Sequence, residues 1–185
     1  MVGSLLRSAA AVSLTLALAA CASTDSGMVT GDSDISSSSL RGARVETPTV
    51  PLQCVPYARA RSGVSIYGDA GTWWAKSAGL YARGPTPSPG SVMVLTGYAG
   101  PGRAHLAVVA NLVSAREITV DHANWLDDGA IYRDDPVVDV SPDNDWSEVR
   151  VFNPRTSSWG TRTYLVQGFI GPDADSEHER VAQNW

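Results

Sequence analysis

Pro85-Thr86-Pro87-Ser88-Pro89-Gly90 is the point at which the pattern of this 185-residue chain changes. Three prolines and a glycine in six residues mark a turn-rich break. Before it the sequence reads as helix. Cys54-Val55-Pro56-Tyr57-Ala58-Arg59-Ala60-Arg61-Ser62-Gly63 carries a proline of the kind tolerated only in a first helical turn. Gly63 suits the position just past a helix end, so a short helix starts near Cys54. A second helix is expected over residues 72 to about 83, with Thr72 as its cap and Gly84 as its stop. After the break come short apolar, β-branched runs at residues 91–95, 104–113, 117–125, 148–152 and 165–170. Their lengths and boundaries suit strands. Helices first and strands second predict an α+β domain with helices packed on an antiparallel sheet.

The ends of the chain differ from this middle. Arg7 is the only charge in the first twenty residues, and the apolar run after it is too short for the roughly 20 residues that span a bilayer. A basic start, a short apolar core and a small-residue end read as a secretory signal over residues 1–20. Leu18-Ala19-Ala20-Cys21 resembles the bacterial lipobox, which implies acylation of Cys21 and a membrane anchor. Residues 21–50 are rich in serine and poor in apolar side chains, and read as a flexible tether. Residues 51–172 form one domain of ordinary size, and 173–185 a polar tail. Ala22 after the cysteine fits an outer-membrane protein facing the periplasm, if the source is a diderm bacterium. The net charge of −5, with no basic cluster, argues against a nucleic-acid partner.

The chain has two cysteines. With Cys21 acylated, Cys54 is left without an intramolecular partner, and a lone thiol in an exported protein is a candidate reactive group. It sits at the expected helix start, where the positive end of the helix dipole favours a thiolate. Of the three histidines, His178 lies in the polar tail. His105 opens the run Ala104-His105-Leu106-Ala107-Val108-Val109 at a loop–strand junction, a common place for a catalytic side chain. His122 lies in Val120-Asp121-His122-Ala123-Asn124-Trp125. Alternate residues of a strand share a face, so His122 and Asn124 point one way and Asp121 the other. A hairpin across Ser114-Ala115-Arg116 brings His105 opposite the stretch around His122. A thiol, a histidine and a polar orienter then converge, as in nucleophile–base–orienter triads. Of the adjacent Trp73 and Trp74, one packs and the other lines a groove, or both are core.

These residues resemble the CHAP domain family, the cysteine- and histidine-dependent amidohydrolases/peptidases. Gln53-Cys54-Val55-Pro56-Tyr57-Ala58 resembles its nucleophile motif. Pro89-Gly90-Ser91-Val92-Met93-Val94-Leu95 resembles the strand after its proline–glycine turn. The His105 run resembles its histidine motif, with Ala104 in place of the usual glycine. Residues 118–125 resemble its third block, where His122 stands at the family's usual glutamate. A histidine in that role also occurs in the related NlpC/P60 peptidases.

The resemblance covers about residues 51–170. It implies a papain-like, NlpC/P60-like α+β fold, with helices on an antiparallel sheet. It implies Cys54 as nucleophile, His105 as base, and His122 as orienter supported by Asn124. Trp73, Trp74 and Trp125 are candidates for the substrate groove. No cofactor is expected, and two thiols and three scattered histidines offer no metal-ligand spacing. The implied substrate is peptidoglycan, cut by a monomer acting as an endopeptidase or N-acetylmuramoyl-L-alanine amidase. A non-catalytic envelope protein that binds wall peptides, and a small-molecule amidase, are the alternatives.

Overall fold

The β-branched runs that follow Gly90 do form strands in the computed structural model, which describes residues 37–171. In chain order the elements are α1 (Ser37–Gly42), β1 (Arg44–Glu46), α2 (Cys54–Ser62), a 3-10 turn (Ala70–Thr72), α3 (Trp73–Lys76), β2 (Arg83–Gly84) and β3 (Val92–Thr96). They continue with β4 (Ala104–Ser114), β5 (Glu117–Ala123), β6 (Ile131–Asp139), β7 (Glu148–Asn153), β8 (Ser158–Trp159) and β9 (Tyr164–Ile170).

All the pairings are antiparallel, and six strands, β3, β4, β5, β6, β7 and β9, close on themselves as a barrel. This corrects the expected papain-like α+β layering: the fold is mostly β, and the sheet is a closed ring with short helices outside it. The cause lies in pairings that no local pattern reveals. β7 pairs with β6 on one side and β9 on the other, which joins the two ends of the sheet. Register shifts between Val94 and Leu95, Val109 and Asn111, and Val120 and His122 add the local bends and twist that closure needs.

The strands next to the helices are buried on both faces, which explains their unbroken apolar runs. Met93, Leu95, Ala107 and Val109 point into the barrel with Trp125, Tyr132 and Phe169. Val92, Val94, Leu106 and Val108 point out against Ala58 of α2 and Trp73 of α3. Gly168, at φ +145°, is required where it stands: a Cβ there would lie 2.5 Å from the Trp74 ring and 2.9 Å from the Gly84 carbonyl.

Two further expectations are corrected. The helix expected over residues 72–83 shrinks to Trp73–Lys76, because Gly79 takes a left-handed φ of +73° and the chain then turns to pair β2 with β9. The stretch expected as a tether over 21–50 is structured from Ser37 onward: β1 pairs with the first half of β6, Val45 packs on the barrel core, and the Ser39 hydroxyl donates to the buried Glu117. The signal over 1–20, the Cys21 anchor and the tail over 173–185 lie outside the described residues.

Candidate active site

Cys54 is the first residue of α2, as its sequence requires. Gln53 has an extended backbone, Pro56 occupies the third helical position, and Gly63 closes the helix at φ +79°. Tyr57 N–H is the first to bond back, to the Gln53 carbonyl at 3.2 Å. Pro56 has no N–H, so the Cys54 and Val55 amides are the ones that open beyond the helix start. The thiol is half-buried at the junction of two cavities of about 460 and 380 Å³, which share Gln53, Cys54, Arg103 and Ala104.

His105 enters from β4. It pairs with Leu95 in register and faces the barrel interior at 2 % exposure. The rings of Tyr98 and Trp125 stand 4.9 Å from it. Its Nε2 lies 3.0 Å from His122 Nδ1, and His122 Nε2 lies 2.9 Å from Asp135 Oδ2. His105 also lines the first cavity with Cys54, and with Nε2 engaged its remaining ring nitrogen, Nδ1, is the one available to the thiol.

Donor logic orders the protons along this chain. An ionised Asp135 only accepts, so His122 carries its proton on Nε2 and accepts on Nδ1. His105 then carries its proton on Nε2, and its Nδ1 is an unprotonated base. Burial pushes the imidazole of His105 well below its ordinary 6.5, and any positive charge on His122 adds to that. Burial also pushes Asp135 up, against the opposing pull of the hydrogen bond from His122. Its Oδ1 is buried without a partner, so the hydrogen bond to His122 is the principal neutralising contact.

The thiol departs from expectation. Burial raises Cys54 above its ordinary 9.0, although the amides of Leu106, Val55 and Cys54 itself and the charge of Arg103 pull the other way. Burial thus disfavours the charged form of both the thiol and the imidazole.

The structure sorts the remaining sequence candidates. Asp121 faces away from His105, accepting from Arg61 at 2.7 Å and Arg133 at 3.5 Å, as strand alternation predicts. Asn124 does not support the base. Its Oδ1 accepts from the Gly129 N–H at 2.7 Å, which fixes the amide so that its Nδ2 donates to Gln53 Oε1 at 3.0 Å. The Gln53 Nε2 is then free of Asn124, on a residue that lines both cavities with Cys54. Trp125 lines the first cavity. Trp73 is fully buried in the outer core, where an indole of roughly 150–250 Å² contributes to stability and cannot touch a substrate. Trp74 packs over Gly168 and under Arg83, and lines neither cavity.

Sequence reasoning missed Asp135, Gln53 and Tyr98. For Gln53 a signal existed, since it immediately precedes the thiol at the helix cap.

Residues 45–124 match the family model described as CHAP domain. This segment is a CHAP domain. CHAP domains are generally cysteine- and histidine-dependent amidohydrolases or peptidases, and the family points to peptidoglycan hydrolysis. The matched segment contains Cys54, His105, His122 and Asn124, while Asp135 lies eleven residues beyond its end. A comparison with curated proteins returns no match.

Proposed function

We propose that this CHAP domain cleaves an amide bond of peptidoglycan through a thioester on Cys54. The observation that carries the reading is the hydrogen-bonded line His105–His122–Asp135, at 3.0 and 2.9 Å, ending in the cavity that holds Cys54. In this reading Nδ1 of His105 takes the thiol proton as sulfur attacks the carbonyl carbon. The Nε2 proton of His105 shifts along the line toward His122, which places the positive charge beside the Asp135 carboxylate. The Cys54 N–H and the Gln53 Nε2 amide donate to the developing oxyanion, a contribution of about 3 kcal/mol for one such donor. His105 then protonates the leaving amine, the thioester forms, and water attacks it with His105 again as base.

Mass spectrometry of purified peptidoglycan after digestion tests the reading and names the bond. An endopeptidase leaves a new amino terminus on a peptide. An N-acetylmuramoyl-L-alanine amidase separates peptide from sugar. No change in the fragment pattern would refute both.

The two shifted groups set a pH signature. The reactive pair must hold one proton in total. It gains a second only as pH falls through the depressed His105 value, and loses its only one as pH rises through the elevated Cys54 value. We expect kcat/KM to be flat across neutrality, with an acid limb below 6.5 and an alkaline limb above 9.0. A thiolate ultraviolet band at neutral pH would reveal a resting ion pair instead.

Acylated Cys21 is proposed as the anchor that holds the domain at a membrane surface in the cell envelope, within reach of the wall polymer. Cys21→Ser is expected to move the protein out of the membrane fraction or leave its signal uncleaved. Unchanged fractionation, with no acyl mass on the N-terminal peptide, would remove this part of the reading.

A further inference from the structure

Arginines of this barrel are mostly committed to the protein itself. Arg44, Arg61, Arg133 and Arg155 are ion-paired, and Arg59 and Arg83 lie over the rings of Tyr67 and Trp74. Arg103 differs. Its guanidinium has no hydrogen-bond, ion-pair or ring partner among the described residues, and it lines both cavities that meet at Cys54. Its charge reaches the thiol, since it is among the groups that pull Cys54 downward.

The position of Arg103 is built. Its N–H donates to the Gly100 carbonyl at 3.1 Å, closing the turn that precedes β4. The carbonyl of Gly102 sits so close to the 3-10 turn over Ala70–Thr72 that a Cβ on Gly71 would come within 2.8 Å of it. The loop is thus seated against its neighbour three residues before His105. Arg162, which also lines the first cavity, donates to the carbonyls of Tyr98 and Gly97 at 2.8 and 2.6 Å, which fixes a second cation there. The acidic groups of the groove are Asp127 in the first cavity and Asp69 in the second.

We propose that Arg103 anchors a free carboxylate of the peptide that occupies the groove, so that the domain selects acidic wall peptides over their amidated forms. The inference rests on reading the groove as the peptide-binding site. A guanidinium presents a planar fork of donors that matches a carboxylate in two parallel hydrogen bonds. An unpaired fork on a seated backbone, lining the cavities that hold the nucleophile, is available for such a contact. A carboxamide offers one acceptor and no charge, and leaves the fork half-used.

The test uses two synthetic stem peptides, one with free carboxylates and one with each of them converted to carboxamide. Cys54→Ala protein, which binds without turnover, is titrated with both by calorimetry. We expect the acidic peptide to bind about tenfold or more tightly. The difference should vanish in Cys54→Ala/Arg103→Gln, persist in part in Cys54→Ala/Arg103→Lys, and shrink with added salt. Equal binding of the two peptides, an undiminished preference after Arg103→Gln, or binding of neither would overturn the proposal. Hydrolysis by the unsubstituted protein is scored separately. Cleavage without carboxylate preference defeats only the Arg103 anchor, and preferential binding without cleavage defeats only the hydrolase reading.

Discussion

Cys54→Ala is expected to abolish release of peptidoglycan fragments while leaving the thermal unfolding of the barrel essentially unchanged. The thiol is small and half-buried at a helix start, so its loss removes little packing. Its proposed role is chemical, because without the sulfur there is no thioester. Removal of a nucleophile of this kind leaves only the residual assistance of binding and oxyanion donors. His105→Ala should be equally inactive in hydrolysis, and should also slow alkylation of Cys54 by iodoacetamide near neutrality. Fragment release by the Cys54→Ala protein equal to that of the parent would leave a wall-binding protein without catalysis as the surviving reading.

Asp135→Asn is expected to lower kcat by about 10²–10⁴-fold with the fold intact. The substitution is isosteric, and the effect follows from proton order. If the asparagine presents its NH2 to His122 Nε2, the line of donors reverses and His105 Nδ1 carries a proton, so no base faces the thiol. If it presents its oxygen, the order survives but no anion balances the charge arriving on His122. His122→Ala should fall in the same range. Asp121→Asn is the control, since that carboxylate lies on the other face of β5 with Arg61 and Arg133. Measured on a soluble peptide amide, a larger loss for Asp121→Asn than for Asp135→Asn would mean that the wrong carboxylate has been assigned to the line.

The contrast between these two aspartates marks the limit of what alternation reveals. Parity alone put His122 toward His105 and Asp121 away, and both positions hold in the structure. The helix start at Cys54 was equally legible, because Pro56 and Gly63 leave few other choices. The five runs after Gly90 became β3, β4, β5, β7 and β9 to within a residue or two at most ends. β6 was not read. Its centre, Arg133-Asp134-Asp135-Pro136, is charged and holds a proline, and both features argue against a central strand. Asp134 there adopts φ +48°, and Arg133 and Asp134 together oppose Asp121 as a bulge. The extra residue resets the alternation, so Tyr132 and Asp135 share the buried side where parity would pair Tyr132 with Asp134. Barrel closure was hidden for a related reason: it depends on β7 meeting both β6 and β9, pairings between segments that carry no mark of each other. The Trp73-Trp74 pair was ambiguous because an indole in a first helical turn serves a core or a groove equally well.

The bulge at Asp134 also keeps the charge line within one continuous stretch of chain. His105 and His122 come from neighbouring strands of one hairpin, and Asp135 comes from the next strand, only 13 residues beyond His122. Both contacts are local and cost little loop entropy. The long-range pairing of the ring is that of β3 with β9, where Val92 stands opposite Ile170, and contacts of that range form slowly relative to hairpins. The base and its counter-charge therefore belong to the β4–β5–β6 meander alone, and their alignment does not wait on the pairing that joins the two ends of the domain.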